Sequence, residues 1–207
     1  MKKSTIFIAS CGVVLLVAII GGLIVKNTKS ESLYDDAGKQ LQEYVNNKDD
    51  SAVATGKNIK VTLAELQLRG KVQKYLGDEE DYDAILNDLI EEKVLYYNAV
   101  QEGMKEDEAD AQQQVDHMKK TVEEGASGAE QVKSILAQFD DENDYWDYVK
   151  ERVMIKGMIQ EYKKTLEEKT DNKSSKKSVA QEIKNMVSEQ NVNINSELLD
   201  KVKASEK

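Results

Sequence analysis

The chain has 207 residues, a third of them charged, with 39 acidic against 29 basic side chains and a formal net charge of −10. The only basic residues before residue 30 are Lys2, Lys3, Lys26 and Lys29, so residues 31–207 carry 25 bases and 39 acids, a net of −14. That sign excludes nucleic acid, whose phosphates need a basic face, and docking along an anionic lipid surface. Cys11 is the only cysteine and proline is absent, which excludes a disulfide framework, a thiol nucleophile after residue 30 and a polyproline motif.

Thr5 to Val25 is an uncharged run of 21 residues, enough to cross a hydrocarbon core of about 30 Å. It is longer than the apolar core of a cleaved signal peptide and has no clean A-x-A site before Lys26. Residues 1–29 are therefore read as an uncleaved single-pass anchor. Ile8-Ala-Ser-Cys11 has the form of a lipobox, which is the alternative for Cys11, but little apolar sequence precedes it. The flanking lysines are nearly balanced. A short tail before a long domain favours an internal N-terminus, with residues 30–207 outside the cytoplasm.

Residues 30–51 are expected to form a helix next to the membrane, with Tyr34, Ala37, Leu41, Tyr44 and Val45 on one face, and then a loop. Ala52–Thr55 and Ile59–Val61 alternate like strands across Gly56-Lys57-Asn58, a hairpin-like turn. Thr62 with Glu65 has capping-box spacing, and a helix follows over Leu63–Leu76. Asp83–Glu102 is apolar over most of its circumference and should sit centrally; Gly103 suits its C-terminal stop. Lys105–Glu124 has a single stripe (Ala111, Val115, Met118, Val122) and should be peripheral. A short helix is expected around Val132, Ile135, Leu136 and Phe139. The acidic Asp140–Asp144 cluster then starts a long helix to about Lys169. That cluster lacks the glycine and the twelfth-position glutamate of a calcium loop, so it is read as a cap.

The long helix carries Tyr148, Ile155, Ile159, Tyr162 and Leu166 on one face throughout, and Trp146, Val149 and Val153 on another in its first half only. Thr170–Lys177 is a polar linker. Val179, Ile183, Met186 and Val187 mark a further helix. Asn191–Asn195 alternates like a strand, and Ser196 is expected to cap a last turn bearing Leu198, Leu199 and Val202.

This order of elements resembles the N-terminal domain of the SurA/PrsA family of extracytoplasmic chaperones. The resemblance rests on the strand-turn-strand, on Thr62-x-x-Glu65, and on Ala84, Ile85, Leu86, Leu89, Ile90, Leu95, Ala99 and Gly103 at matching spacing. The acidic step Glu106-Asp107-Glu108 and the pair Tyr145-Trp146 after an acidic turn complete it. With the anchor read from Thr5–Val25, it implies a mostly α fold: a single N-terminal transmembrane helix followed by a SurA-N-like helical domain over residues 52–207 with a small two- to three-stranded β element. Residues 178–207 would pack back onto that domain, their strand pairing near Ile59–Val61.

The family often carries a parvulin-type prolyl isomerase domain after the long helix. Here that slot holds only the eight residues Thr170–Lys177, and a domain needs on the order of a hundred. The one histidine, His117, has no partner to orient it as a base. The expectation is a membrane-anchored chaperone or holdase, without catalysis, metal or cofactor, that binds unfolded or exported polypeptides. Tyr148, Ile155, Met158, Ile159 and Tyr162 are the candidate client surface; the same stripe could instead pack against Val179, Ile183 and Met186. The alternative function is a scaffold or assembly subunit for a fixed membrane or cell-envelope partner, with residues 31–46 as spacer. A prolyl isomerase comes third.

The anchor reading predicts that the protein stays in the membrane fraction after an alkaline wash, with its N-terminus intact. A mature N-terminus at lipidated Cys11, detected by mass spectrometry, overturns it.

Overall fold

The computed structural model of the chain describes residues 31–46, 50–76, 81–171 and 178–205. The apolar run from Thr5 to Val25 and the lipobox lie outside these residues. Among the described helices, none is long and apolar enough to cross a membrane. The fold is mostly helical with one small antiparallel sheet. Its elements are α1 (Glu31–Asn46), β1 (Ala52–Thr55), β2 (Lys60–Thr62), α2 (Leu63–Leu76), α3 (Tyr82–Gln101) and α4 (Glu108–Glu123). They continue with α5 (Ala129–Leu136), α6 (Glu142–Asp171), α7 (Val179–Glu189), β3 (Asn193–Ile194) and α8 (Ser196–Ser205).

Local chemistry sets the helix starts. Glu65 accepts the Thr62 N–H at 2.9 Å while the Thr62 hydroxyl accepts the Glu65 N–H at 3.2 Å, a complete capping box. Asp81 accepts the N–H groups of Asp83 and Ala84 ahead of α3, and Asp107 accepts that of Asp110 ahead of α4. Asp141, in the acidic cluster, accepts the Asn143 N–H at 2.9 Å. Among the described residues, no group of three or more metal-ligating side chains forms. The last helix departs from expectation: Asn195, not Ser196, accepts the Leu198 N–H. Its amide reaches the third residue on, the usual N-cap geometry.

The apolar faces close into three clusters. The first joins Leu41 of α1, the whole α4 stripe, α5, and Tyr145, Trp146, Val149 and Val153 of α6. The second joins the sheet, the first half of α3 and Leu199 and Val202 of α8. The third joins Leu95 and Ala99 of α3 to the second half of α6 and to Ile183 of α7. Helix α3 thus spans two clusters, as its broad apolar surface requires.

The sheet order is β2-β1-β3. The returning strand therefore pairs with β1, with Ala54 opposite Ile194 and Thr55 opposite Asn193, and not with the Ile59–Val61 run as expected. The reason lies in Gln190, buried at the end of α7. Its carbonyl accepts the Lys57 N–H at 2.8 Å and its side-chain oxygen accepts the Asn58 N–H at 2.9 Å. These bonds clamp the incoming chain to the hairpin turn on the β1 side. A Cβ on Gly56 would come within 2.8 Å of Ile59 and 3.1 Å of Gln190, so the turn closes only around glycine.

Helix α1 is not a free spacer. It packs on α5, α2 and α6, with Tyr44 edge-on to Tyr148 at 5.9 Å. At Gly38 α1 lies close against the end of α5: a Cβ there would lie 2.7 Å from Gln138 Cγ and 2.8 Å from the Ile135 carbonyl oxygen. That contact predicts that Gly38→Ala forces α1 off α5 and destabilises the fold by about 1–3 kcal/mol, the usual cost of overpacking. Denaturant unfolding checks it; an unchanged midpoint would mean that α1 is dispensable to the body.

Candidate functional site

The five residues proposed as a client surface do not form one open face. Tyr148 packs with the first cluster, beside Tyr44. Ile155 is half-buried at the edge of the third. Met158, Ile159 and Tyr162 are core, with Met158 at 4% and Tyr162 at 1% exposure. Helix α7 covers them with Val179, Ile183 and Met186, and the Tyr162 hydroxyl approaches Met186 Sδ at 3.8 Å. Their spacing is that of a face buried between α3 and α7, the second of the two arrangements open to such a stripe.

Covering the stripe creates a different apolar surface. Where α7 lies against α3, a groove of about 580 Å³ opens to solvent. Ala180, Ile183, Lys184 and Val187 of α7 form one wall, Asn87, Ile90 and Glu91 of α3 the other, and Val192 and Ile194 close one end. The α7 residues recur at i, i+3, i+4 and i+7, so the wall is one helical face. Ile194 is 43% exposed, one of two large hydrophobic residues left so open among the described ones. In the sequence Val187 marks a helix and Ile194 an alternating strand, and neither pattern shows that both line a groove. The missed signal was the apolar series Val187, Val192 and Ile194, which runs from the last turn of α7 into β3.

A second polar feature lies between α2, α3 and α6. Glu92 of α3 accepts from Arg69 of α2 at 3.0 Å and from Arg152 of α6 at 2.6 Å. Close by, Lys93 of α3 reaches Glu65 at 2.5 Å, so the capping-box glutamate also ties α2 to α3. Burial disfavours the charged Glu92, but Arg152 and Arg69 outweigh it and hold the carboxyl below its ordinary range. Burial, and then the like charges of Arg69 and Arg152, pull the Lys156 ammonium down to about 8, with Glu92 opposing. The cations and carboxylates here satisfy one another, which suits a tie between helices more than a ligand site. His117 is exposed on α4. No spacing rule links Arg69, Glu92 and Arg152, and only the fold shows that they meet.

Removing the shared carboxylate leaves two guanidinium groups half-buried without it. Glu92→Gln should therefore cost about 2–3 kcal/mol, below the range for fully buried pairs because these groups keep some solvent contact. The pH dependence has a definite sign. Glu92 has a lower pKa folded than unfolded, so its stabilisation is complete above the unfolded value and disappears as pH falls through the folded one. Urea titrations against pH should show a shallower acid limb for Glu92→Gln than for wild type; parallel limbs would contradict the tie. Comparison of the chain with protein-family models, with curated proteins and with solved structures finds no match.

Proposed function

We propose that the protein is a membrane-tethered, extracytoplasmic chaperone of the holdase type, which binds unfolded or exported polypeptides and releases them without catalysis. The observation that supports this reading most is the open apolar groove between α3 and α7, beside the short strand β3. An apolar cleft of this size falls within the roughly 300–1,000 Å³ of ligand-binding sites, and its walls are mostly aliphatic. The order of elements resembling SurA/PrsA chaperones points the same way. So does the short connection from Asp171 to Val179, which has no room for an isomerase domain. In this reading Thr5–Val25 is the anchor and the long helix α6 is the scaffold on which α7 forms the groove wall.

The experiment is a light-scattering assay of reduced insulin with the full-length chain in lipid nanodiscs. The expected result is delayed aggregation at near-equimolar chaperone, together with prolyl isomerisation of a test peptide at the uncatalysed rate. Aggregation that proceeds unchanged would defeat the holdase reading. One stoichiometric membrane partner in crosslinking would then favour the scaffold.

A further inference from the structure

We infer that the groove and the outer edge of β3 form one site, which binds an extended apolar segment with basic flanks as a fourth strand of the sheet. This inference rests on the holdase reading and names how and where the client is held.

The backbone supplies the first half of the argument. In an antiparallel ladder, residues alternate between hydrogen-bonded and non-hydrogen-bonded pairs. Asn195 N–H donates to the Val53 carbonyl at 2.9 Å, which makes its pair the hydrogen-bonded kind. Ile194, one residue earlier and opposite Ala54, is therefore at a non-hydrogen-bonded pair. Its N–H and C=O point away from β1, toward the open side of a sheet whose order ends at β3. Proteins usually blunt such edges with lysine, proline or a covering element. This one presents isoleucine.

The side chains supply the second half. Val61, Ala54 and Ile194 are opposite one another across the three strands, so they share one face of the sheet. Val61 and Ala54 are buried on the α3 side, within the second core cluster, and Ile194 continues the row over the groove. A fourth strand paired to Ile194 would extend the same row. Its alternate side chains would enter the groove over Ile90, Ile183 and Val187, the arrangement of strand-addition binding. With one residue of β3 offering its backbone outward, the main-chain contribution is small. Binding is then weak and readily reversed, as release without nucleotide requires.

Charge decides what flanks the apolar segment. On the groove walls Glu91 is already paired with Lys163 of α6 at 3.2 Å, and Lys184 is on the opposite wall, so the aliphatic side chains between them hold the centre of the segment. Beyond it, residues 31–207 carry 14 more acids than bases, a field that attracts basic flanks and weakens with salt.

The test uses the full-length chain in nanodiscs and a fluorescent peptide of alternating valine and threonine with lysines at both ends. Ile194→Pro removes the outward N–H but no ladder bond, and Asn193 before it is already extended, so the melting temperature should hold. Peptide affinity should fall about tenfold, the loss of one main-chain bond and its alignment, while Ile194→Val keeps it. N-methylation of the peptide along the paired edge should weaken binding by a similar factor, and an aspartate-flanked peptide should bind more weakly than the lysine-flanked one, the difference closing at high salt. Equal binding of the N-methylated peptide, or unaltered affinity in Ile194→Pro, overturns strand addition. Self-association abolished by Ile194→Pro overturns the client assignment in favour of a second copy of this chain. A chain that delays insulin aggregation yet ignores the peptide refutes this site and leaves the holdase reading standing. Peptide binding without any delay refutes the holdase reading and leaves the site.

Discussion

The arrangement of the helices depends on one carboxylate. Glu92 is on α3 within the stretch from Tyr82 to Val94 that builds the second cluster, one turn before Leu95 of the third, and it holds Arg69 of α2 and Arg152 of α6 together. Apolar burial brings these helices together but leaves their rotation and sliding weakly determined, because hydrophobic attraction is not directional. Two charge-assisted bonds from guanidinium groups fix direction as well as distance. The neighbouring Lys93–Glu65 pair repeats the device one residue along α3 and uses the glutamate that also caps α2. The start of α2 and its docking on α3 are thus set by the same side chain.

Helix positions were legible from sequence because their determinants are local. Thr62 with Glu65, the acidic step Glu106-Asp107-Glu108, and the stripe of Ala111, Val115, Met118 and Val122 each act within a turn or two of the backbone, and the structure contains each of them. Periodicity shows that a face is apolar but not what covers it. The stripe through Met158 and Tyr162 has the same pattern whether it meets solvent, a client or α7. Likewise the face of α1 with Leu41 and Tyr44 cannot reveal that Gly38 lets this helix approach α5. The pairing of β3 with β1 turned on Gln190, a polar residue at a helix end that no pattern distinguishes from an exposed one. The groove itself is a by-product of α7 lying where it does.

Groove and stripe are related. The apolar face of α6 is occupied because α7 lies on it, and α7 in turn offers Ala180, Val187 and Lys184 on another side. Apolar surface is moved outward from a rigid helix to a shorter one beside a strand edge. Such a site can be small without weakening the core, since none of Val187, Val192 and Ile194 is fully buried in the closed domain.

The Gln190 clamp has a further consequence, for the timing of folding. It joins residues separated by 132 positions along the chain, so the hairpin at residues 52–62 cannot be completed by anything near it in sequence. Such long-range closure is slow, because the intervening chain must be ordered first. A polypeptide that emerges N-terminus first will hold β1 with one edge bare until residues 190–195 arrive. In that interval the nascent domain shows the kind of unpaired strand that it is proposed to recognise in others.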